Sequence, residues 1–273
     1  MPEVWRRIGP AVLDPWVAVA RPPALLAAIS PGAAPVASWS RVHTTALVLG
    51  RAASDPPLHH GLLTDRGIPV LHRRSGGGPV LWDPDLLSLD VVVPPGHRLA
   101  QRDVTLSYRW LGDAVAEALR GLGLPARAVP VAEARAAAAE RDAAARRAAR
   151  TCFGGISPWE VVDGDGRKVA GLSQVRRRTG TLFQCGMPLT LDAALLAAVL
   201  EPDAHERDAL AEALAARATG LRTHRPGLRH EQVVHAVEGA LAAREAVRMR
   251  PSAPVPAERP PCRGADGGVP DRA

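Results

Sequence analysis

The sequence predicts an α+β fold. Three observations carry that expectation. Short β-like runs recur up to residue 185, separated by Gly and Pro turns. One strongly periodic helix falls among them, at 106–122. From 190 onward the pattern is helical alone. Strands mixed with helices, followed by helices, is the order of an α+β domain with a helical C-terminal portion.

Taken in order, 44–50 (TTALVLG) and 68–72 (IPVLH) read as strands, rich in branched apolar residues. Arg73-Arg74-Ser75-Gly76-Gly77-Gly78 follows. A third run, 88–94 (SLDVVVP), is stopped by Pro94-Pro95-Gly96. In 106–122, Leu106, Trp110, Leu111, Val115, Leu119 and Leu122 recur at threes and fours, and Gly121 and Gly123 mark the exit. Residues 126–132 (ARAVPVA) read as a short strand. Residues 133–150 are nearly all Ala, Arg and Glu, helix-forming but without a large apolar face, so an exposed helical insertion or partly ordered connector is expected. Three β-like runs follow, 159–163, 167–173 and 180–185, the first two joined by the hairpin turn Gly164-Asp165-Gly166. Helices are expected over 191–200, 203–218 and 230–247, and a disordered Pro/Arg/Gly tail over 250–273.

The bulk numbers exclude several classes. With 273 residues and 47% hydrophobic content the chain can build a large core. Its net charge of +6 invites nucleic acid, but arginine is spread along the chain and aromatics are only 3%, too few for base stacking. A basic surface suits an acidic protein partner equally. No targeting segment and no apolar run of about 18 residues is evident, so no membrane span is expected. Cys152, Cys185 and Cys262 are odd in number and lack metal-type spacing, which points to free thiols in a reducing cytoplasm and to no metal site.

Of 34 cationic side chains, 33 are arginine; the exception is Lys168. An ammonium is a compact point charge that reaches a single oxygen in a pocket, where a planar guanidinium does not fit. Chance drift gives the same letter. Lys168 follows the Gly-Asp-Gly turn, a place from which a side chain projects onto a sheet face. The glycine triplet lets backbone approach a ligand, with Arg73 and Arg74 supplying charge for a phosphate or carboxylate; a tight turn with solvated arginines explains the same residues. Cys152 lies before Phe153-Gly154-Gly155, where a thiol among small residues can sit in an open pocket, or be a small buried hydrophobe. Cys185 lies in an apolar run, and Cys262 in the tail; both are expected to be inert.

Together these motifs resemble the biotin/lipoate protein ligase superfamily, in particular lipoate–protein ligase A and the cysteine-dependent octanoyltransferases. Arg73-Arg74-Ser75-Gly76-Gly77-Gly78 matches the first family signature, one residue shorter. Gly166-Arg167-Lys168-Val169-Ala170-Gly171-Leu172-Ser173-Gln174 matches the second, Lys168 standing 90 positions after Gly78. Leu49-Gly50-Arg51 resembles the upstream strand end. The match spans roughly 40–190.

The resemblance implies a mixed, largely antiparallel sheet with flanking helices, a catalytic domain over 1–189, a helical portion over 190–249 and a tail beyond. It implies an octanoyl or lipoyl group passing from acyl carrier protein to Cys152, then to a lysine of a lipoyl-type carrier such as an H protein. Lys168 would stabilise the acyl carbonyl, and Arg73, Arg74, Ser75, Gly76, Gly77, Gly78 and Gly171 would form the binding pocket. No cofactor is needed on that reading. An ATP- and Mg-dependent lipoate ligase, with Cys152 incidental, is the alternative, and a binding-only paralogue a third. Departures motivate the alternatives. Trp82-Asp83-Pro84-Asp85-Leu86 stands for the family's His-Asp-x-Gly-Asn-Leu, Cys185-Gly186 for a His-Gly, and residues 16–29 lack an acidic side chain.

Overall fold

A computed structural model describes residues 1–51, 56–139 and 142–253. Its elements are β1 (Glu3–Leu13), α1 (Pro15–Ala28), β2 (Val36–Val42), β3 (Ala46–Leu49), α2 (His60–Asp65), β4 (Val70–His72), β5 (Val80–Trp82), β6 (Leu86–Val93), α3 (Arg109–Gly121), β7 (Arg127–Ala128), α4 (Val131–Ala139), α5 (Ala143–Ala148), β8 (Val161–Val162), β9 (Lys168–Arg177), β10 (Gly180–Pro188), α6 (Ala193–Leu200), α7 (Ala204–Ala215), α8 (His230–Glu245) and β11 (Val247–Pro251).

Eight strands form one sheet in the order β11-β1-β2-β6-β10-β9-β8-β7, and β4-β3-β5 form a second. Among the described residues of the large sheet only β1 pairs in parallel, with β11 and β2; the remaining pairs are antiparallel. The sheet is therefore mixed and largely antiparallel. Alternation places Trp39, Leu87, Leu89, Val91, Phe183 and Met187 in the main core, under α3 and α8. Val237 and Leu241 of α8 meet Leu111 and Leu119 of α3 there. The opposite face lies beneath α1, where Leu25 and Leu26 pack on Val36, Val92, Val175 and Leu182.

Asp85 ties the later helices to the sheet. Arg222 Nη1 donates to both its oxygens, at 2.8 and 2.9 Å, and Thr190 Oγ1 to its Oδ2 at 2.6 Å. These donors hold its carboxyl below the usual range against the upward push of burial.

The structure corrects several expectations. The strand expected over 126–132 is two residues long, and α4 begins at Val131. The Ala/Arg segment 133–150 is not one exposed helix. It falls into α4 and α5, with residues 140–141 outside the described residues. Ala145 and Ala148 are buried, and Ala148 packs with Leu210, Ala213 and Leu214 of α7. A stripe of methyl groups is enough here because small side chains let helices approach closely. The tail expected over 250–273 begins too early, since Arg250 and Pro251 belong to β11 and pair with β1. Residues 254–273, with Cys262, lie outside the described residues.

Candidate active site

The glycine loop after β4 folds on its own arginine. Arg73 Nη2 donates to the carbonyls of Gly76 (3.0 Å) and Gly78 (3.1 Å). Gly77 takes φ +99°, a left-handed conformation that a side chain would strain. A Cβ on Gly78 would overlap the carbonyl oxygen of Arg150, so the loop lies directly against the chain leaving α5. Cys152 N–H donates to the carbonyl of Pro79 at 2.9 Å and completes that seam.

The segment carrying Cys152 is a tight turn. Thr151 Oγ1 donates to the Ala148 carbonyl (2.8 Å) and accepts from Gly154 N–H (3.0 Å). Lys168, at the start of β9, reaches into this turn. Its ammonium lies 2.7 Å from the Cys152 carbonyl, 3.2 Å from the Gly155 carbonyl and 2.7 Å from Glu160 Oε1. Three protons thus meet three acceptors. The Phe153 ring lies 5.4 Å from the same nitrogen. Lys168 is 1% exposed, which explains why lysine stands here: a wide guanidinium would not fit this set of acceptors.

Glu160 is equally enclosed. Its Oε1 also accepts from Leu172 N–H (3.0 Å) and its Oε2 from Ser157 N–H (2.7 Å). The residue before it, Trp159, adopts φ +68°, rare for a bulky side chain. Its N–H donates to the Val129 carbonyl at 2.7 Å and Arg109 stands 5.2 Å from its ring, so the unusual backbone is held from two sides. Glu160 was not singled out by the sequence reasoning. The one available signal is a carboxylate eight residues from the only lysine, which periodicity does not flag; β8–β9 pairing brings the two together.

One cavity of about 370 Å³ gathers Arg73, Gly76, Gly77, Gly78, Cys152, Lys168 and Gly171. A Cβ on Gly171 would come 3.2 Å from Lys168 Cε, so the glycine gives the ammonium its room. Arg74 and Ser75 are not in this group. They line a neighbouring cavity of about 360 Å³ beside α1, walled by Val19, Pro22, Pro23 and Leu26. Ser75 is buried, and its hydroxyl has no partner among the described residues. The two cavities share Arg73, Trp82 and Gln184.

Of the thiols, Cys152 is partly exposed and Cys185 is buried. Burial, with Glu160 and Asp90 nearby, pushes the Cys185 thiol far up, so its nucleophilic form is disfavoured. Sequence reasoning also missed Asp90 and Gln184, which line the Cys152 cavity; Gln184 Nε2 donates to Asp90 Oδ1 at 2.7 Å. Burial raises the Asp90 carboxyl to about 7, against the lowering effects of Gln184 and Arg21. Among the described residues no helix is long and apolar enough to cross a membrane.

The family model that matches most of the chain, with this fold, places it in the biotin/lipoate protein ligase superfamily. An archaeal bipartite lipoate protein ligase from Thermoplasma acidophilum, solved with its E2 lipoyl domain, superposes with TM-score 0.71 at 21% identity, covering 92% of this chain and 86% of that one. A lipoate-protein ligase A bound with ATP gives 0.67 at 20% identity, over 93% and 89%. At such identities these likenesses show the fold alone. The chain belongs to the lipoyl protein ligase A/B catalytic domain family, whose model matches residues 14–242. Octanoyltransferase LipM of Moorella thermoacetica is 30% identical over 203 residues, 73% of this chain and 70% of that one. LipM of an Exiguobacterium species is 33% identical over 147 residues, 54% and 50% respectively. The chain spans about half the length of the two Exiguobacterium relatives that it matches.

Proposed function

We propose that this chain is an acyltransferase of lipoate metabolism. It moves an octanoyl or lipoyl group from acyl carrier protein, through a thioester on Cys152, to a lysine of a lipoyl-type carrier protein. The observation that carries this reading is the junction at Cys152: a partly exposed thiol on a turn whose carbonyl is gripped by the only lysine, in one cavity with the glycine loop. The octanoyltransferase names of the relatives support it.

The chemistry balances without a cofactor. Cys152 Sγ attacks the acyl carbonyl carbon, the carrier's thiol leaves, and it takes the proton lost by Cys152. The amine of the acceptor lysine then attacks the new thioester; an amide forms and the Cys152 thiol is restored. Lys168 fixes the turn that presents Sγ and keeps positive charge beside the oxygen on which negative charge builds. Glu160 balances that charge and sets the direction of the ammonium.

The ligase alternative needs room for ATP and Mg. The two cations lining the Cys152 cavity are both engaged, Arg73 with Gly76 and Gly78, and Lys168 with Glu160, Cys152 and Gly155. A triphosphate there would have to exchange some of these contacts, and we derive no step through one.

The test is transfer in a defined mixture of octanoyl-acyl carrier protein and a lipoyl domain, without ATP. The expected result is an octanoyl amide on the domain's lysine with wild type and none with Cys152→Ala. Lipoylation from free lipoate and ATP at equal rates in both proteins would establish the ligase instead. Ligand-induced stabilisation with no transfer would establish a binding-only protein.

A further inference from the structure

Two residues break local rules, and they meet at one contact. Ser157-Pro158-Trp159-Glu160 is a β-turn, closed by Glu160 N–H donating to the Ser157 carbonyl at 3.2 Å. Proline at its second position and a left-handed residue at its third, φ +68° at Trp159, are the signs of a type II turn. That third position ordinarily belongs to glycine, and a bulky side chain there is an outlier. The converse exception stands opposite. Gly112 is buried inside α3, where glycine is disfavoured relative to alanine. A Cβ on it would overlap the Trp159 carbonyl oxygen. The helix goes without a side chain at the point where the turn lies against it.

The turn sets the direction of Glu160. Glu160 Oε2 accepts from Ser157 N–H at 2.7 Å, so the first and last residues are joined twice. Trp159 N–H donates to the Val129 carbonyl (2.7 Å) and Val129 N–H to the Glu160 carbonyl (2.9 Å), which ties both residues to one neighbouring segment. Glu160 Oε1 then meets Lys168 Nζ at 2.7 Å, and Nζ meets the Cys152 carbonyl at 2.7 Å. Ser157, Glu160, Lys168 and Cys152 line one cavity, and Trp159 is not among its lining residues. The tryptophan stands behind the site, with Arg109 5.2 Å from its ring and Gly112 against its carbonyl. Its indole Nε1 is buried with no hydrogen-bond partner among the described residues. Neither a hydrogen bond of the indole nor contact with the cavity accounts for a tryptophan here. Unfavourable backbone that the surroundings hold in place clusters at functional sites, and local rules broken together mark the same places.

We infer that Trp159 is a positioning residue: with its ring beside Arg109 and its carbonyl against Gly112, it locks the turn that points Glu160 at Lys168, and so holds the segment that carries Cys152. The inference rests on the transferase reading for the reaction that this geometry serves. Glycine at 159 would adopt the left-handed backbone without strain, but it would also free the turn to leave that conformation. The ring removes this freedom. A displacement of about 1 Å at a reacting group is enough to slow chemistry about 10²-fold, so a locked turn is worth an unfavourable φ.

The experiment compares Trp159→Gly and Trp159→Phe with wild type, each shown to be folded by circular dichroism. Intact mass follows adduct formation from octanoyl-acyl carrier protein and gives the rate at saturating donor and the half-saturating concentration. Amide hydrogen exchange at Ser157 and Leu172 reports the two N–H groups that hold the Glu160 carboxylate. For Trp159→Gly the inference predicts a saturating rate about 10- to 10²-fold lower, an unchanged half-saturating concentration and faster exchange at both amides. Trp159→Phe, which keeps a ring on the same backbone, is expected to recover most of the rate. A wild-type saturating rate in Trp159→Gly, a change confined to the half-saturating concentration, or a phenylalanine variant as slow as the glycine one overturns it. Unchanged exchange at either amide overturns it in every case. If Trp159→Gly does not fold, Trp159→Asn, which tolerates the left-handed region, is read in the same way; failure of both to fold makes the tryptophan structural and overturns the inference. If wild type itself leaves no adduct, the transferase reading fails, and exchange alone decides the positioning: faster exchange at both amides upholds it.

Discussion

Two buried pairs of opposite charge lie beside the Cys152 cavity, Lys168 and Glu160 both lining it and Asp90 alone of the second pair, and they are completed to different degrees. Lys168 and Glu160 touch at 2.7 Å, and every proton of the ammonium has an acceptor. Both carboxylate oxygens of Glu160 also receive backbone N–H groups. Arg21 and Asp90 interact through their charges, yet two guanidinium nitrogens have no acceptor among the described residues. In a low-dielectric interior a closed network fixes one geometry, while an open one leaves donors to be met by something else. The closed pair holds the turn that carries Cys152, whereas the Arg21–Asp90 pair is left with unmet donors.

The strongest way to break the closed pair is to remove one partner. Glu160→Ala leaves a buried, uncompensated ammonium, and urea unfolding is expected to show a loss of about 3–5 kcal/mol. The double variant Glu160→Leu/Lys168→Met is expected to regain most of that stability while losing acyl-enzyme formation. If the double variant kept activity, the pair would be structural only. Next in size is Gly78→Ala. Its methyl would drive the loop off the Arg150 carbonyl, with an expected loss of about 1–3 kcal/mol in the same assay and a slower acylation of Cys152.

Asp90→Asn probes the open pair through pH. The folded carboxyl is raised to about 7 from a usual value of 3.8. Between those values the folded chain holds a proton that the unfolded chain has released. The associated stability is present below the lower value and is lost as pH rises through the upper one. Urea midpoints of wild type are therefore expected to fall between pH 5 and 8, and those of Asp90→Asn to lack that component. An identical slope in both proteins would remove Asp90 from the account. The smallest effect concerns the thiols. In a Cys262→Ser background one maleimide per chain is expected at pH 8, lost on Cys152→Ser, because Cys185 is enclosed and its thiolate disfavoured. Label on Cys185 would show that the core opens near the site.

Much of this was legible in the residues. The Gly164-Asp165-Gly166 turn is a hairpin, closed by Asp163 Oδ1 accepting from the N–H groups of Asp165 and Arg167. The lone lysine marked a place where guanidinium fails, and the Gly-rich loop and Cys152 meet it in one cavity. What was not legible depends on partners distant in sequence. β11 is Val-Arg-Met-Arg-Pro, a tail by composition, and it becomes a strand only because β1 offers an edge. β1 itself is interrupted by arginines and Gly9-Pro10, which hide its alternation. Asp90 sits inside an apolar run and reads as an exposed residue of a strand. Only the register of β2, β6, β10 and β9 lines it up with Ser38, Gln184 and Ser173.

The most direct test of the central claim is the intact mass of the protein after mixing with octanoyl-acyl carrier protein, for wild type and Cys152→Ser. The account predicts a single octanoyl adduct on wild type, removed by hydroxylamine as a thioester is, and no such adduct on the variant. An adduct of equal yield on Cys152→Ser that hydroxylamine removes as a thioester, or none on wild type at any concentration of donor, would contradict it.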